Sequence, residues 1–482
     1  MRGAIRKFGW QGWLAVAVAA VLGMVLLGAG CRLGPDYERP SVEVPGQWRW
    51  KEAVPRDHEP TGRWWTLFGD PALDALVERA GADNLELKAA LARVEQARAT
   101  ARVSKSDFYP AVQGSASYAR YRTSANAPSP VGFPIPSFTM EQWETPLDLS
   151  YEIDLWGRVS RSFEAARGLA MSAEAARRAV LLALQADVVS SYLALQALDR
   201  EVQLLGHTVA IRNEALDIFR QRLKAGMLTE FEVQRGQVEV ASAEADLEAV
   251  RRMRAAEFNR MAVLCGRAPS VFEFQVSTQA VALPEIAAGL PADLLERRPD
   301  VAQAERVLAS RMAEIGVAKA AFFPSVRLTA SGGLMSGELS NLFEWDSHTW
   351  ALGPRIDLPI FAGGRNRAGL ERARAAYEEA VANYRQQVLV AFREVEDSLS
   401  ALHFFKAEVA ARRVAAEAAT GAARQAFARY QAGAVNFLDV VDAEQARLLS
   451  LVAQERALRE QQLATVRLMK ALGGGWNESD AL

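Results

Sequence analysis

The chain has 482 residues, of which 50% are hydrophobic and 24% are charged, with 56 basic and 58 acidic residues. This globular composition excludes a disordered chain, a collagen-like chain and a small disulfide framework. The nearly balanced charge gives no basic footprint of the kind that nucleic-acid binding needs, so that class of function is set aside.

The N-terminus has the layout of an export signal. Arg2, Arg6 and Lys7 precede an apolar run that ends in small residues just before Cys31, which is typical of a secretory signal peptide. A cysteine at this place resembles the acylated first residue of bacterial lipoproteins, although Gly28 stands where such signals usually have leucine. The alternative is an uncleaved anchor, since the segment approaches the ~20 residues that span a bilayer. We expect an exported lipoprotein with a covalent lipid on Cys31.

Two long stretches, residues 147–268 and 360–482, contain no proline and are rich in Ala, Leu, Glu and Arg. Because proline interrupts helices, these stretches predict long helices. From Arg158 to Ala225, apolar residues recur at the alternating three- and four-residue spacing of a coiled-coil seam. The seam consists of Leu181, Leu184, Val188, Leu195, Leu198, Val202, Leu205, Val209, Leu216, Phe219 and Leu223. As one helix, this segment would be roughly 100 Å long.

The second half of the chain repeats the first. Residues 222–226 match 429–433 at an offset of 207, and residues 108–112 match 322–326 at an offset of 214. The difference of seven residues places a length change in the intervening segment, where a loop tolerates it. The seam recurs as Val388, Ala391, Val395, Leu402, Phe405 and Val409 and continues in Ala416, Ala419, Ala423 and Ala426. These alanines would let helices approach closely.

Both long helices are expected to end in tight helical hairpins. Gly226 and Gly433 suit the position after a helix where a positive φ is needed. A capping residue and an acidic partner three positions later follow each glycine. These pairs are Thr229 with Glu232 and Asn436 with Asp439.

Four segments, near residues 112–118, 147–155, 326–334 and 350–360, alternate apolar and polar side chains. Each predicts a β-strand with one apolar face, which a soluble core could cover. The strand lengths, the exported chain and nearby aromatic residues also fit a membrane barrel. Four strands leave two open edges, which hydrocarbon does not tolerate, so a barrel needs more than one chain. The strand count permits a dimer or a trimer.

We find no constellation of residues that indicates an enzyme. The histidines at positions 58, 207, 348 and 403 are scattered, and the chain has no metalloprotease, P-loop or nucleophile-elbow motif. Cys265 is expected to be a small buried residue at a helix end. We therefore expect no catalytic residue, no metal and no cofactor apart from the lipid on Cys31.

Several motifs carry a family resemblance. They are Cys31 followed by Gly34-Pro35-Asp36-Tyr37-Glu38-Arg39-Pro40, then Trp64-Trp65, Phe68-Gly69-Asp70-Pro71-Ala72-Leu73, Gly157-Arg158, Gly364-Arg365, Arg297-Arg298-Pro299-Asp300 and Leu438-Asp439-Val440-Val441-Asp442-Ala443. Together with the Phe-Tyr-Pro and Phe-Phe-Pro junctions, they resemble the outer-membrane factors of the TolC and OprM type. The nearest subgroup is the NodT-like lipoproteins of resistance-nodulation-division (RND) efflux systems.

The resemblance implies a mixed α and β fold. A homotrimer would form a twelve-stranded outer-membrane β-barrel, with four strands per chain, continued by a long periplasmic α-helical coiled-coil tunnel. Together with the internal duplication, the resemblance divides the chain into six segments. They are a signal peptide (1–30), an N-terminal anchor and equatorial segment (31–72), repeat 1 (73–266), an equatorial linker (267–292), repeat 2 (293–474) and a tail (475–482).

The resemblance also implies a function. The chain would be a lipid-anchored, passive exit duct in the outer membrane, extending into the periplasm and exporting small molecules. Its partners would be a periplasmic adaptor, an inner-membrane RND-type transporter and outer-membrane lipid. The alternatives are an outer-membrane factor of type I protein secretion and a non-transporting coiled-coil envelope lipoprotein.

The family's gate lies at the periplasmic tip, which by motif position corresponds to Leu438, Asp439 and Asp442. Because Asp439 also stands at a capping position, Asp442 is the favoured pore carboxylate. Three such carboxylates near a threefold axis would repel one another or attract a cation. The first hairpin has Arg235 in the equivalent place, and our hypothesis is that it pairs with an acid of the other hairpin. The residues expected to dock the adaptor are Gly226, Thr229, Glu232, Arg235, Gly433 and Asn436.

Overall fold

The computed structural model describes residues 32–50, 63–126, 136–277, 283–284, 286, 289 and 291–474. The predicted signal peptide, Cys31 and the predicted tail 475–482 lie outside the described residues. The chain divides into two compact units. The first takes segments within 1–39, 97–170 and 307–380, and the second takes segments within 40–96, 171–306 and 381–482. Each compact unit therefore contains parts of both sequence repeats.

The first unit contains an antiparallel sheet. Its strand segments are β1 (Ala111–Gly114), β2 (Ser117–Arg122), β3 (Thr139–Ile153), β4 (Ser325–Ser336) and β5 (His348–Asp357). The order is β1-β3-β4-β5, and β2 pairs with β3 beside β1. Because β1 and β2 follow the same register along β3, the five segments occupy the four predicted strand positions.

The division between β1 and β2 is caused by a proline in the neighbouring strand. Ser115 lies opposite Pro146, and its N–H donates to the Pro146 carbonyl oxygen over 3.1 Å. Pro146 has no N–H to donate in return, so the ladder lacks one bond at this place. One continuous chain segment is thus split into two short strands.

The two faces of the sheet differ in polarity, as the alternating sequence predicts. Tyr151, Leu328 and Pro354 lie in register across one face, whereas the row of Glu152, Arg327 and Arg355 lies on the other. Many apolar side chains of the first face are exposed, with Trp350 at 82% and Leu352 at 78%. An exposed apolar face of this kind marks a surface that contacts lipid or another chain.

The helices confirm the internal duplication. They are α1 (Pro71–Asp83), α2 (Leu85–Ser106), α3 (Arg158–Lys224), α4 (Glu230–Leu264), α5 (Leu294–Arg297), α6 (Pro299–Ala320), α7 (Arg365–Gln431) and α8 (Phe437–Ala471). Helices α3 and α7 have 67 residues each, and α4 and α8 have 35 each, at the offset of 207. Helices α2 and α6 have 22 residues each, at the offset of 214.

Two α-helices precede the strands of each repeat. They are separated at Asn84 in the first repeat and at Arg298 in the second. Asn84 caps α2, since its side-chain oxygen accepts from the Leu87 N–H over 2.9 Å. Pro299 occupies the first position of α6, where its missing N–H costs no helix bond.

The predicted seam forms the core of the second unit. Leu198 and Leu205 of α3 pack with Leu247 and Val250 of α4 and with Leu448 of α8 in one buried cluster. In α7, the seam positions Val388, Ala391 and Val395 are fully buried, and Ala416 and Ala423 are buried further along. The hairpins therefore pack through large residues in the first repeat and small ones in part of the second.

The N-terminal segment and the insert between the repeats meet on α3. The hydroxyl of Tyr192 donates to the Asp70 carboxylate over 2.6 Å and accepts from the Ser277 N–H over 3.1 Å. Gln196 donates to the Ser277 carbonyl oxygen over 3.0 Å. Burial and the bond to Asp70 raise the pKa of Tyr192 well above its usual value. The tyrosine thus stays neutral and links both segments to the helix.

Candidate hairpin tips

Each long helix ends in a glycine turn. Gly226 and Gly433 have φ values of 71° and 70°, a conformation that glycine adopts without a side-chain clash. The next residue in each turn donates its N–H back into the helix, from Met227 to the Arg222 oxygen and from Ala434 to the Arg429 oxygen, both over 2.9 Å. These bonds satisfy helix-end carbonyls that would otherwise lack a partner.

A capping box opens the returning helix of each hairpin. In the first, the Thr229 N–H donates to the Glu232 carboxylate over 2.9 Å, and the threonine hydroxyl also donates to it. The hydroxyl bond and backbone donors hold the pKa of Glu232 below its ordinary value. In the second, the Asn436 N–H donates to Asp439 over 3.1 Å, and the Asp439 N–H donates to the Asn436 side chain over 3.2 Å. The sequence spacing predicts both boxes.

The two tips face each other across a groove of about 490 Å³. Its lining includes Phe219, Arg222, Phe231, Glu232, Arg235, Tyr430, Gly433, Asn436, Phe437 and Leu438. The rings of Phe219 and Phe437 meet edge to face at 4.9 Å, and Tyr430 meets Phe437 at 5.2 Å. The guanidinium of Arg222 lies 5.4 Å from the centre of the Tyr430 ring. Aromatic packing therefore joins one hairpin to the other.

The sequence motifs did not identify Tyr430 and Phe437 as residues of the contact between the hairpins. Tyr430 replaces Leu223 in an otherwise similar repeat motif, and Phe437 comes directly after the capping Asn436. An aromatic residue that departs from its repeat partner at a turn is the signal that could have identified Tyr430. Nothing local to Phe437 indicates its contact with Phe219, which lies far away in sequence.

The structure gives the two predicted gate acids different surroundings. Asp439 is exposed but bonded within its capping box. Asp442 is exposed, and no hydrogen bond or ion pair joins it to the described part of the chain. Leu438 is half-buried in the wall of the groove. Arg235 is exposed at the groove, and within the ranges described it forms no ion pair with an acid of the other hairpin.

The segment that follows Cys31 is firmly attached at the start of α3. The Leu33 N–H donates to the Trp156 oxygen over 3.2 Å. Arg161, only 2% exposed, binds the Asp36 carboxylate over 2.7 Å and the Leu33 oxygen over 3.3 Å. The cysteine itself lies outside the described residues, so its lipidation stays a prediction.

Comparison with known proteins gives consistent matches along the chain. The family model described as "Outer membrane efflux protein" matches residues 76–267 and 290–474. Outer membrane protein OprJ of Pseudomonas aeruginosa is 36% identical over 97% of this chain and 98% of its own length. Toluene efflux pump outer membrane protein TtgC of Pseudomonas putida is 34% identical over 96% of each chain. The crystal structure of the Campylobacter jejuni CmeC outer membrane channel matches with a TM-score of 0.86 and 26% identity, over 93% of this chain and 96% of that one.

Proposed function

Because the chain belongs to the outer membrane efflux protein family, we propose that it is the outer-membrane exit duct of a tripartite efflux pump. The observation that carries the proposal is the pairing of an amphipathic sheet with two duplicated 67-residue helices in one chain. The sheet suits a membrane wall, and the helices suit a duct that continues away from it. The duct itself performs no reaction, and energy comes from the transporter at the other membrane.

Three copies of the chain form the duct. The sheet of one copy ends in two outer strands, the β1–β2 pair and β5, so a lipid environment requires neighbours for both edges. Three copies of four strand positions close a twelve-stranded barrel, within the size range of outer-membrane barrels. The exposed apolar face of the sheet, which includes Trp350 and Leu352, then lies against lipid.

The hairpin tips close the duct and meet a periplasmic adaptor. Asp442 is the gate carboxylate, because it is exposed and has no partner in the described chain, whereas Asp439 is engaged in its cap. Three Asp442 carboxylates around one axis form a narrow anionic ring. Leu438 supplies an apolar constriction beside it. The adaptor contacts the turns around Gly226 and Gly433 and delivers substrate from an RND-type inner-membrane transporter.

The gate is tested with Asp442→Asn, which keeps the side-chain shape but removes the charge. We expect a higher single-channel conductance of the resting trimer in planar bilayers and greater sensitivity of cells to vancomycin. Glu417→Gln is the matched control, since Glu417 is an exposed acid of α7 that pairs with Arg413 over 3.8 Å. If Asp442→Asn and Glu417→Gln both behaved like the unaltered protein, Asp442 would not be the gate.

A further inference from the structure

The roots of the two hairpins, where α4 and α8 end, are built on the same plan. In the first root, the Asn84 side chain donates to the Leu264 oxygen at the end of α4 over 2.9 Å. In the second root, Arg298 donates to the Ala471 oxygen at the end of α8 over 3.1 Å. Asn84 and Arg298 are equivalent at the offset of 214, and Leu264 and Ala471 at the offset of 207. The duplication has therefore preserved a bond from the helix break to the end of the returning helix.

The second root contains an ionic network as well. The Arg298 guanidinium binds both oxygens of Asp300 on α6, over 3.0 and 2.6 Å, and the Glu394 carboxylate on α7 over 2.7 Å. Gln387 of α7 also donates to Asp300, over 2.6 Å. The Arg298 side chain is only 7% exposed. One buried cation thus ties α6, α7 and α8 together.

Within the described chain, no buried cation links the three helices of the first root, where the ion pairs join partly exposed side chains. The residue equivalent to Glu394 is Asp187 of α3, which pairs with Arg260 of α4 over 3.6 Å. Both side chains are about half exposed, at 49% and 52%, and such surface pairs contribute little. Asn84 carries no charge that could hold Asp187. The two hairpins are therefore fixed at their roots by different means.

We propose that Arg298 is a positioning residue that holds the second hairpin at its root and thereby controls the gate at its tip. The role of Arg298 at the root does not depend on the proposed function, whereas its effect on the gate rests on that function. An α-helix rises about 1.5 Å per residue, so Asp442 lies about 44 Å from Ala471 along α8, and a tilt of about 5° at the root moves the tip by about 4 Å. A small loss of restraint at the root therefore produces a larger displacement at the gate.

The test replaces Arg298 by the residue found in the first root. Arg298→Asn in the full-length assembled protein is compared with the control Arg260→Asn, which removes an exposed arginine of the other root. Hydrogen exchange followed by mass spectrometry reports the last turns of α4 and α8 separately, and planar bilayers report the resting conductance. Asparagine can still donate to the Ala471 oxygen, as Asn84 donates to the Leu264 oxygen at the first root. It cannot replace the charged bonds to Asp300 and Glu394, so we expect exchange at the end of α8 to rise roughly tenfold or more.

In Arg298→Asn, we expect exchange at the end of α4 to stay unchanged and the resting conductance to rise. In Arg260→Asn, we expect neither the exchange at the end of α8 nor the resting conductance to change. Unchanged exchange at α8, or an equal rise at both roots, overturns the proposal, because the second result is general destabilisation. Faster exchange at α8 alone with unchanged conductance overturns the link to the gate. If the unaltered protein does not conduct, the proposed function fails, while the exchange comparison still decides the role of Arg298 at the root.

Should Arg298→Asn not assemble, Arg298→Lys replaces it in the same measurement. Because lysine keeps the charge without the planar fork, it is expected to give an intermediate rise in exchange at the end of α8.

Discussion

Asp439 and Asp442 lie one turn apart on α8 and differ in what binds them. Asp439 accepts the Asn436 N–H at the start of the helix, whereas Asp442 extends from the exposed surface without a partner in the described chain. The same residue type therefore has a structural role in one place and is available for a functional role one turn later. This difference makes the two positions separable by substitution.

We expect Asp439→Ala to destabilise the first turn of α8, because loss of a capping interaction costs about 1 kcal/mol. The measurement is the thermal midpoint of the trimer together with hydrogen exchange over the first residues of α8. Asp442→Ala serves as the control and should not increase exchange in this turn, because Asp442 takes no part in the cap. Equal effects of the two substitutions would show that the capping assignment is wrong.

Glycines that share a positive φ differ in the space around them. Gly433 has no heavy atom close to the position that a Cβ would take, whereas a Cβ on Gly473 would overlap the carbonyl oxygen of Arg297. Alanine at Gly433 therefore costs only the conformational strain of about 1–2 kcal/mol. Alanine at Gly473 adds a clash with the backbone.

Gly473→Ala should lower the free energy of unfolding by more than Gly433→Ala does, because the carbonyl group it meets is part of the backbone and cannot rotate away. Chemical denaturation of both variants, monitored by circular dichroism, measures the difference. Identical losses would mean that the second root relaxes to admit a methyl group.

Features that depend only on neighbouring residues in the sequence were predictable at the residue scale. The turns at Gly226 and Gly433 follow from residues within one helical turn, so their sequence was sufficient. The contact of Gly473 with Arg297 was not predictable, because it joins positions 176 residues apart. That Asp442 has no partner in the described chain likewise depends on what the packed hairpins leave uncovered.

At the scale of whole elements, regular spacing made the long helices and their seam predictable. The interruption at Arg298 was harder, because the helical pattern continues on both sides of it. Pro299, favoured at the first position of a helix, was the available signal. The role of Arg298 could not be inferred, since Glu394 and Ala471 reach it only through packing.

The same network gives a pH prediction. Burial opposes ionisation of Asp300, but the hydrogen bonds and positive charge of Arg298 outweigh it and hold the pKa of Asp300 below the ordinary 3.8. A carboxyl whose pKa is lower in the folded state stabilises the protein fully above its unfolded pKa. That stabilisation is lost as the pH falls through the folded pKa. Glu394 and the neutral Gln387 also face this site.

We therefore expect the stability difference between the unaltered protein and Asp300→Asn to be constant from neutral pH to about pH 5 and to decline below it. Thermal midpoints measured across this range provide the comparison. Asp217→Asn is the control, because Asp217 is an exposed acid that pairs with Arg220 over 3.1 Å. A difference that grew toward low pH would contradict a lowered pKa of Asp300 in the folded state.

For the whole molecule, the motifs indicated family and duplication correctly, but the compact units could not be foreseen. Repeats follow one another in sequence, whereas each compact unit collects segments from both. The reason is physical, because β3 of the first repeat pairs with β4 of the second, so the sheet takes its strands from both repeats. The four strand positions were predictable from alternation, and the missing ladder bond at Pro146 was predictable only once its partner Ser115 was known.

Lipidation of Cys31 and assembly of the trimer are expected to be independent of each other. Cys31→Ser should remove acylation without dissociating the trimer, because the segment after it is held by Arg161 through Asp36 and the Leu33 oxygen. Mass spectrometry of the mature N-terminus measures the lipid, and native mass spectrometry measures the number of copies. A serine variant that fell apart into single chains would show that the lipid is required for assembly.

The matched lengths of the two hairpins restrict how this chain can change. Phe219 near the end of α3 meets Phe437 at the start of α8, so the two turns must arrive at the same level. An insertion of seven residues in one long helix would shift its turn by about 10 Å and separate these rings. Insertions and deletions in one hairpin are therefore tolerated only when the other hairpin changes by the same number of residues, and a chimaera must exchange both hairpins together.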